Sequence, residues 1–381
     1  MRKCNKSTIC ALLSLFLTPL VAAQIYTVKD LGTLGGSFSE GTSANIVSQV
    51  AGASSTADGF NHAFLWTKGR GMRDLGTLGG SFSRAYDVNA LGQVVGESSL
   101  VRDESSHAFL WTQGHHMQDL GTLGGCDSLA EGINLFGHVV GGSVVTGCDF
   151  SEFHGFFWTK ENGMKDLGTL GGNFSEAVAI NAFDQVVGTS SVSDSDFHAF
   201  SWTPTSGIED LGTLGGCFSV SEAVNDLGHV IGESTTSCTA SDERPFLWTK
   251  SDGLKDLGPA PGLFGGLTSI NIFDQITGVF CPGTCTGDQH AFLWTKNSGW
   301  NDLNNLIRPG SGWELIQPDD INEWGQITGY GTFNGAFHAF LLSPNLVAQS
   351  NLAGSNIPNE QTSSTAQPSS SVIKPTSAIR F

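Results

Sequence analysis

Apolar residues recur along this chain in short bursts, each closed by glycine, asparagine or aspartate, and no long helical stripe appears. The spacing predicts four kinds of β-strand. One runs into Asp-Leu-Gly, as in Met164 to Leu167. A second precedes an asparagine, as in Ala177 to Ile180. A third is Gln185 to Gly188, and a fourth is His62 to Thr67. Alternation along the fourth points Phe64 and Trp66 one way and Ala63 and Leu65 the other, so both faces are apolar. A strand of that kind belongs in a sheet packed between two other sheets.

The bursts are parts of an internal repeat. Asp-Leu-Gly begins at Asp30, Asp74, Asp119, Asp166, Asp210 and Asp256, with Asp302-Leu303-Asn304 as a degraded seventh copy. Asn-x-x-(Gly/Asp)-(Gln/His) begins at Asn89, Asn134, Asn181, Asn225, Asn271 and Asn322, with a weaker first copy from Asn45 to Gln49. His-Ala-Phe-Leu-Trp or a variant begins at His62, His107, His154, His198, Arg244, His290 and His338. Four strands in about 45 residues is the size of a propeller blade. The fold expected is all-β, a seven-bladed β-propeller of four-stranded antiparallel blades. A parallel β-helix, with coils nearer half this length, fits less well. The Asn-x-x-Gly segments read as hairpin turns whose last residue takes positive φ. The six repeated tryptophans, Trp66, Trp111, Trp158, Trp202, Trp248 and Trp294, read as core between blades rather than as a ligand cage.

These motifs resemble the HAF-repeat family of probable extracellular bacterial proteins, from Val28 to about Leu342. Arg244-Pro245 and His154-Gly155 depart from the His-Ala pattern. The resemblance implies export and repetition. It carries no activity and no catalytic residues.

Residues 1–23 read as a signal peptide: Arg2, Lys3 and Lys6 precede a short apolar run, and Val21 and Ala23 sit at the small-residue positions before Gln24. The propeller is expected over 24–344, and a disordered Ser/Thr/Pro-rich tail over 345–381. Charge narrows the partners. The formal net charge is −18, and loss of the three leader cations takes it to −21. Nucleic acid is excluded by that balance, and no segment is long and apolar enough for membrane insertion. A protein or a glycan remains, in an exported setting (extracellular or periplasmic). The sequence sets no oligomeric state.

Cysteine usage agrees with export. Cys126 and Cys217 each follow a Gly-Gly pair, while Cys148 and Cys238 lie in the next loop between strands three and four of the same repeats. In a four-strand meander those two connections emerge on one side, which predicts Cys126–Cys148 and Cys217–Cys238; Cys281–Cys285 would close a small loop.

The loops between strands three and four vary most, and recognition usually sits on such loops. Their acids, Asp58, Asp103, Glu104, Asp149, Glu152, Asp194, Asp196, Asp242, Glu243 and Asp288, form the candidate binding face. No catalytic, cofactor or metal site stands out. Ca²⁺ is the one cation these loops suggest, although Ser-Asp-Ser-Asp at 193–196 lacks calcium-loop spacing. The repeated histidines read as strand-start hydrogen-bonding groups. The function expected is a protein- or glycan-binding or scaffold module working through the variable loops. The alternative is a hydrolase or lyase with a single non-repeated site at the channel mouth. Non-reducing peptide mapping is expected to recover the three cysteine pairs above; links between different repeats would contradict the meander.

Overall fold

Each Asn-x-x-Gly segment closes a hairpin. In the second copy Gly92 N donates to Asn89 O (2.9 Å) and Asn89 N to Gln93 O (3.1 Å). The residue expected at positive φ takes it in every copy: Ser48, Gly92, Gly137, Asp184, Gly228, Asp274 and Gly325. These hairpins join the first and second strands of seven antiparallel sheets. The computed structural model describes residues 25–345 apart from 194, 240–242, 261 and 284–288.

Blade three shows the pattern: Ser128–Ile133, Val139–Val144, Phe153–Thr159 and Gly163–Asp166 lie side by side in chain order. The innermost strands of the others are Gly35–Ala44, Gly79–Val88, Ser175–Ile180, Ser219–Val224, Leu263–Ile270 and Trp313–Ile321, for blades one, two, four, five, six and seven. Blade seven takes three strands from the end of the repeat region and its outer strand, Tyr26–Asp30, from the beginning, with Tyr26 opposite Pro344 and Asp30 opposite Phe340. The molecule is a seven-bladed β-propeller.

The phase of the repeat differs from the sequence reading. The strand ending in Asp-Leu-Gly is the outer strand of the blade before it: Asp166 sits opposite Phe156 of the preceding His-containing strand. The Gly-Gly segments therefore cross from one blade to the next. The reason is a clip. His Nδ1 of the third strand meets the carboxylate twelve residues on, in His62–Asp74, His107–Asp119, His154–Asp166, His198–Asp210 and His290–Asp302, at 2.7 to 2.9 Å. His338 makes the same contact with Asp30 across the closure. The histidines thus hold the two outer strands together.

Both faces of the third strand are buried, as its alternation requires. Phe64 and Trp66 pack with Ala339 and Leu341 of blade seven, while Ala63 and Leu65 pack with Phe109 and Trp111 of blade two. Each apolar cluster is shared between neighbouring blades.

Two sets of polar bonds stitch the blades. One is a ring of buried asparagines. Asn45 Nδ2 donates to Asn89 O, and the same bond runs from Asn89 to Asn134, Asn181, Asn225, Asn271 and Asn322, and from Asn322 back to Asn45, at 2.9 to 3.3 Å. Each Oδ1 accepts backbone N–H groups within its own turn, as Asn45 does from Val47 and Gln49. Only a side chain with both donor and acceptor meets this demand. The other set uses serine: Ser83 Oγ accepts from Ala63 N of the previous blade and donates to Gly76 O, and Ser39, Ser128, Ser175 and Ser219 repeat this.

Two disulfides form as expected, Cys126–Cys148 and Cys217–Cys238, with Cα–Cα separations of 5.2 and 4.9 Å. Each joins an inter-blade crossing to the loop between the second and third strands of the blade it enters. Cys281 is buried at the end of its strand, and Cys285 lies outside the described residues. Disulfides point to an oxidising compartment.

Asn181→Asp removes a donor and leaves the buried Asn225 carbonyl without it. We expect a loss of about 1–3 kcal/mol in urea unfolding, against little change for an exposed control such as Lys160→Gln.

Candidate functional site

Antiparallel order places the blade crossings and the second-to-third-strand loops on one face of the disc, and the Asn-x-x-Gly turns on the other. The described ones among the acids singled out from sequence lie on the loop face, but they do not converge. Asp103 accepts from Ser81 N (2.7 Å) and Ser99 Oγ (2.6 Å), bonds that hold its carboxyl below the ordinary range. It ties loop to crossing where blades three and five use a disulfide. Asp149 accepts from Ser151 N and Oγ, which likewise lower its pKa, and Asp196 bonds locally with Ser193 and Ser195. Asp58 and Glu104 are exposed, and Glu152 lies 3.8 Å from His154 Nε2. Asp194, Asp242 and Asp288 lie outside the described residues. Among the described residues no group of three or more His, Cys, Asp or Glu side chains is arranged to hold a metal.

The side chains that do converge come from the innermost strands, where the repeat is least faithful. Five residues before each turn asparagine stand Glu40, Arg84, Leu129, Glu176, Val220, Gly266 and Gln317. Three residues before it stand Thr42, Tyr86, Glu131, Val178, Glu222, Thr268 and Asp319. Arg84 Nε pairs with Glu40 Oε1 at 3.0 Å and stacks over Tyr86, whose hydroxyl donates to Glu97 Oε1 at 2.8 Å. Asp87 and Asp320 are structural: Asp87 accepts from Ser43 Oγ and Ile133 N, and Asp320 from Ala44 N and Ser269 Oγ, so each spans three blades. Burial dominates the titration of the channel acids. It pushes Asp319 up to about 8, and it raises Glu131, helped by the charges of Glu176, Glu222 and Glu97.

One pocket is unlike any other position in the ring. It lies at the loop-side end of the seam between blades five and six, has a volume of about 390 Å³, and is lined by Phe218, Glu222, Glu233, Glu243, Phe264, Gly265, Gly266 and neighbouring aliphatics. Its origin is a paired loss. Pro245 stands where the other blades have an N–H donor, and Gly265 where blades one to five have the accepting serine; blade seven has Ile316 there. Neither partner of the stitch is present, so no buried group is left wanting. Gly266, at φ +125°, supplies no side chain where Glu40, Arg84 and Glu176 stand elsewhere, and Leu267 N donates to Glu233 Oε1 at 2.6 Å. Glu233 is 6 % exposed and hydrogen-bonds Glu222. Burial, then the charge of Glu222, raises Glu233, and burial raises Glu222. Cys217–Cys238 pins the rim beside Phe218.

Only Glu243 of this pocket was singled out from sequence; Glu222 and Glu233 were missed. The signal available was the breaking of a repeat at adjacent blades, Arg244-Pro245 followed by the altered crossing at 257–266.

The class of protein is thus a β-propeller with an acid-lined axis. No family model matches the chain, and no curated protein matches it. Among solved structures, an oligogalacturonate lyase in complex with manganese superposes with a TM-score of 0.55 at 9 % identity, covering 84 % of this chain and 94 % of that one. The WD40 β-propeller domain of Doa1 gives 0.46 at 16 % identity, covering 82 % and 96 %. The BP39L lectin from Burkholderia pseudomallei gives 0.47 at 9 % identity, covering 85 % and 98 %. These likenesses show the fold alone. No helix among the described residues is long and apolar enough to cross a membrane.

The folded chain keeps protons on Asp319 and Glu131 that the unfolded chain releases. Stability is therefore full below the ordinary carboxylate values of 3.8 and 4.5 and falls as pH rises toward about 8. Thermal unfolding should come roughly 5 °C lower at the alkaline end of that window, and Asp319→Asn with Glu131→Gln should flatten the dependence.

Proposed function

We propose that this chain is an exported propeller of the HAF-repeat kind that binds a glycan through its loop face, with the blade five–six pocket as the binding site. The observation that carries the reading is the pocket itself, opened where Pro245 lacks the N–H and Gly265 the hydroxyl that stitch five other seams, and lined by carboxyl groups and two phenylalanines. Its chemistry suits a sugar. Carboxyl groups accept from and donate to hydroxyls, Phe218 and Phe264 offer apolar ring faces, and the glycines let a ligand approach the main chain. The disulfide at the rim supports a pre-organised site. Glutamates beside an acidic axis favour neutral or amino sugars over uronic acids. Oligogalacturonate is a polyanion, so the lyase of similar fold lends no substrate to this site. Export, to the periplasm or beyond, is supported by the disulfides and the leader-like first 23 residues.

A second reading rests on one specific observation. Glu222 and Glu233 are hydrogen-bonded carboxyls in one pocket, each raised by burial, the arrangement from which general acid and general base are drawn. On that reading the protein is a hydrolase or lyase with this one non-repeated site.

Calorimetric titration of neutral, amino and acidic oligosaccharides against the full chain tests the first reading. Binding should favour the first two and weaken about tenfold or more in Glu233→Gln and Phe264→Ala. Equal binding by these variants would remove the pocket from the account. Release of reducing ends or unsaturated products, abolished by Glu222→Gln, would instead establish the second reading.

A further inference from the structure

The turn face carries a feature that solvent-exposed turns do not call for. Two residues after each turn asparagine stand Val47, Leu91, Phe136, Phe183, Leu227, Phe273 and Trp324, exposed by 59 % at Val47 to 75 % at Phe183. Tips of tight turns ordinarily carry Gly, Asn, Asp or Ser. Here all seven are large and apolar, and the ring symmetry sets them on one circle around the axis. Trp324 is held in place, its Nε1 donating to Ile46 O of the next blade at 2.9 Å. None of this apolar surface is needed to fold the blades, whose cores lie between the sheets.

The circle surrounds the opening of a second cavity, of about 430 Å³, lined by the turn-side ends of all seven innermost strands. Asp87, Glu131, Glu222, Asp226, Asp319, Asp320 and Glu323 contribute to its wall, and among the described residues lining it there is no Lys, Arg or His. Farther out on the same face, Lys68, Arg70, Lys160, Lys250 and Lys296 stand exposed on the turns between the third and fourth strands, with Glu161 and Asp252 among them. The pattern from the axis outward is carboxyl-lined, apolar, then charged with cations in excess.

We propose that the turn face is a docking surface for a protein segment whose tip presents a cationic side chain among aliphatic or aromatic ones. The cation enters the carboxyl-lined opening, where its charge favours release of the protons that burial holds on Glu131 and Asp319, and Arg84 is already paired with Glu40. The apolar side chains cover the ring, and the outer lysines oppose a partner that is basic throughout. A second copy of this chain fits poorly, because stacking turn face on turn face would set two acidic openings against each other. This site shares Glu222 with the sugar pocket, which opens on the other face.

The probe is a short synthetic peptide with an Arg-Lys pair flanked by leucines, titrated against the full chain by fluorescence anisotropy. One-to-one binding is expected. It should weaken at least about tenfold in Phe136→Ser/Phe183→Ser/Phe273→Ser, whose side chains are exposed, and about threefold or more in Glu131→Gln/Asp319→Asn. A control peptide with glutamines replacing Arg-Lys should bind about tenfold more weakly. Leu91→Ser/Leu227→Ser repeats the ring test if the triple variant folds poorly. No binding of the probe, unchanged binding by the ring variants, or equal binding of the glutamine peptide would overturn the proposal. So would light scattering that shows a dimer dissolved by the ring substitutions, or binding that appears only after deletion of residues 346–381. Those last results would give the surface to a second copy or to the chain's own C-terminal segment.

Discussion

The closed ring of asparagine amides is the constraint on which the rest of this molecule hangs. Each side chain fixes its own hairpin through Oδ1 and reaches the next hairpin through Nδ2, so one residue type sets both the turn and the pitch from blade to blade. With seven equal steps the last amide meets the first. The apolar faces then fall into register: large residues of one third strand meet small and aliphatic residues of the next, and no blade exposes an oily side. Burying an amide at every step costs little because every donor and acceptor finds a partner.

Symmetry supplies the frame, and departures from it supply the chemistry. Where the repeat is faithful the seams are stitched by serine and filled by phenylalanine and tryptophan. At the seam between blades five and six the lapse is a compensating pair. Proline has no N–H to offer, and the glycine opposite has no hydroxyl to receive it, so a seam opens without an orphaned polar group. A disulfide and Asp103 do the same loop-pinning work in different blades. The innermost strands tolerate the widest variation, since their outward side chains face an axial space rather than a packed neighbour.

How much of this could be read from sequence follows the same division. Blade number, four-strand blades, hairpin positions, the positive-φ residues and two disulfide pairs were legible because each rests on a repeated local signal. The blade boundary was not, because a strand ending in Asp-Leu-Gly looks the same whether it pairs forward or back; the His–Asp contact across twelve residues decides it. The loop acids that the structure describes do not come together, whereas acids of the innermost strands do. A carboxylate in a loop and one on an innermost strand look alike in sequence, and only the ring brings Glu222, Glu233, Glu131 and Asp319 together. The serines were passed over because a hydroxyl used between blades has no partner nearby in the chain.

The closing blade borrows its outer strand from the start of the chain, and His338 clasps Asp30 across 308 residues of sequence. The annulus is therefore incomplete until nearly all of the polypeptide is available, because the opening strand has no lasting partner while the rest is being delivered. The first strand must therefore wait for the last repeat, so closure is a late and non-local step of folding, and the clasp acts as a timing device as much as a fastening.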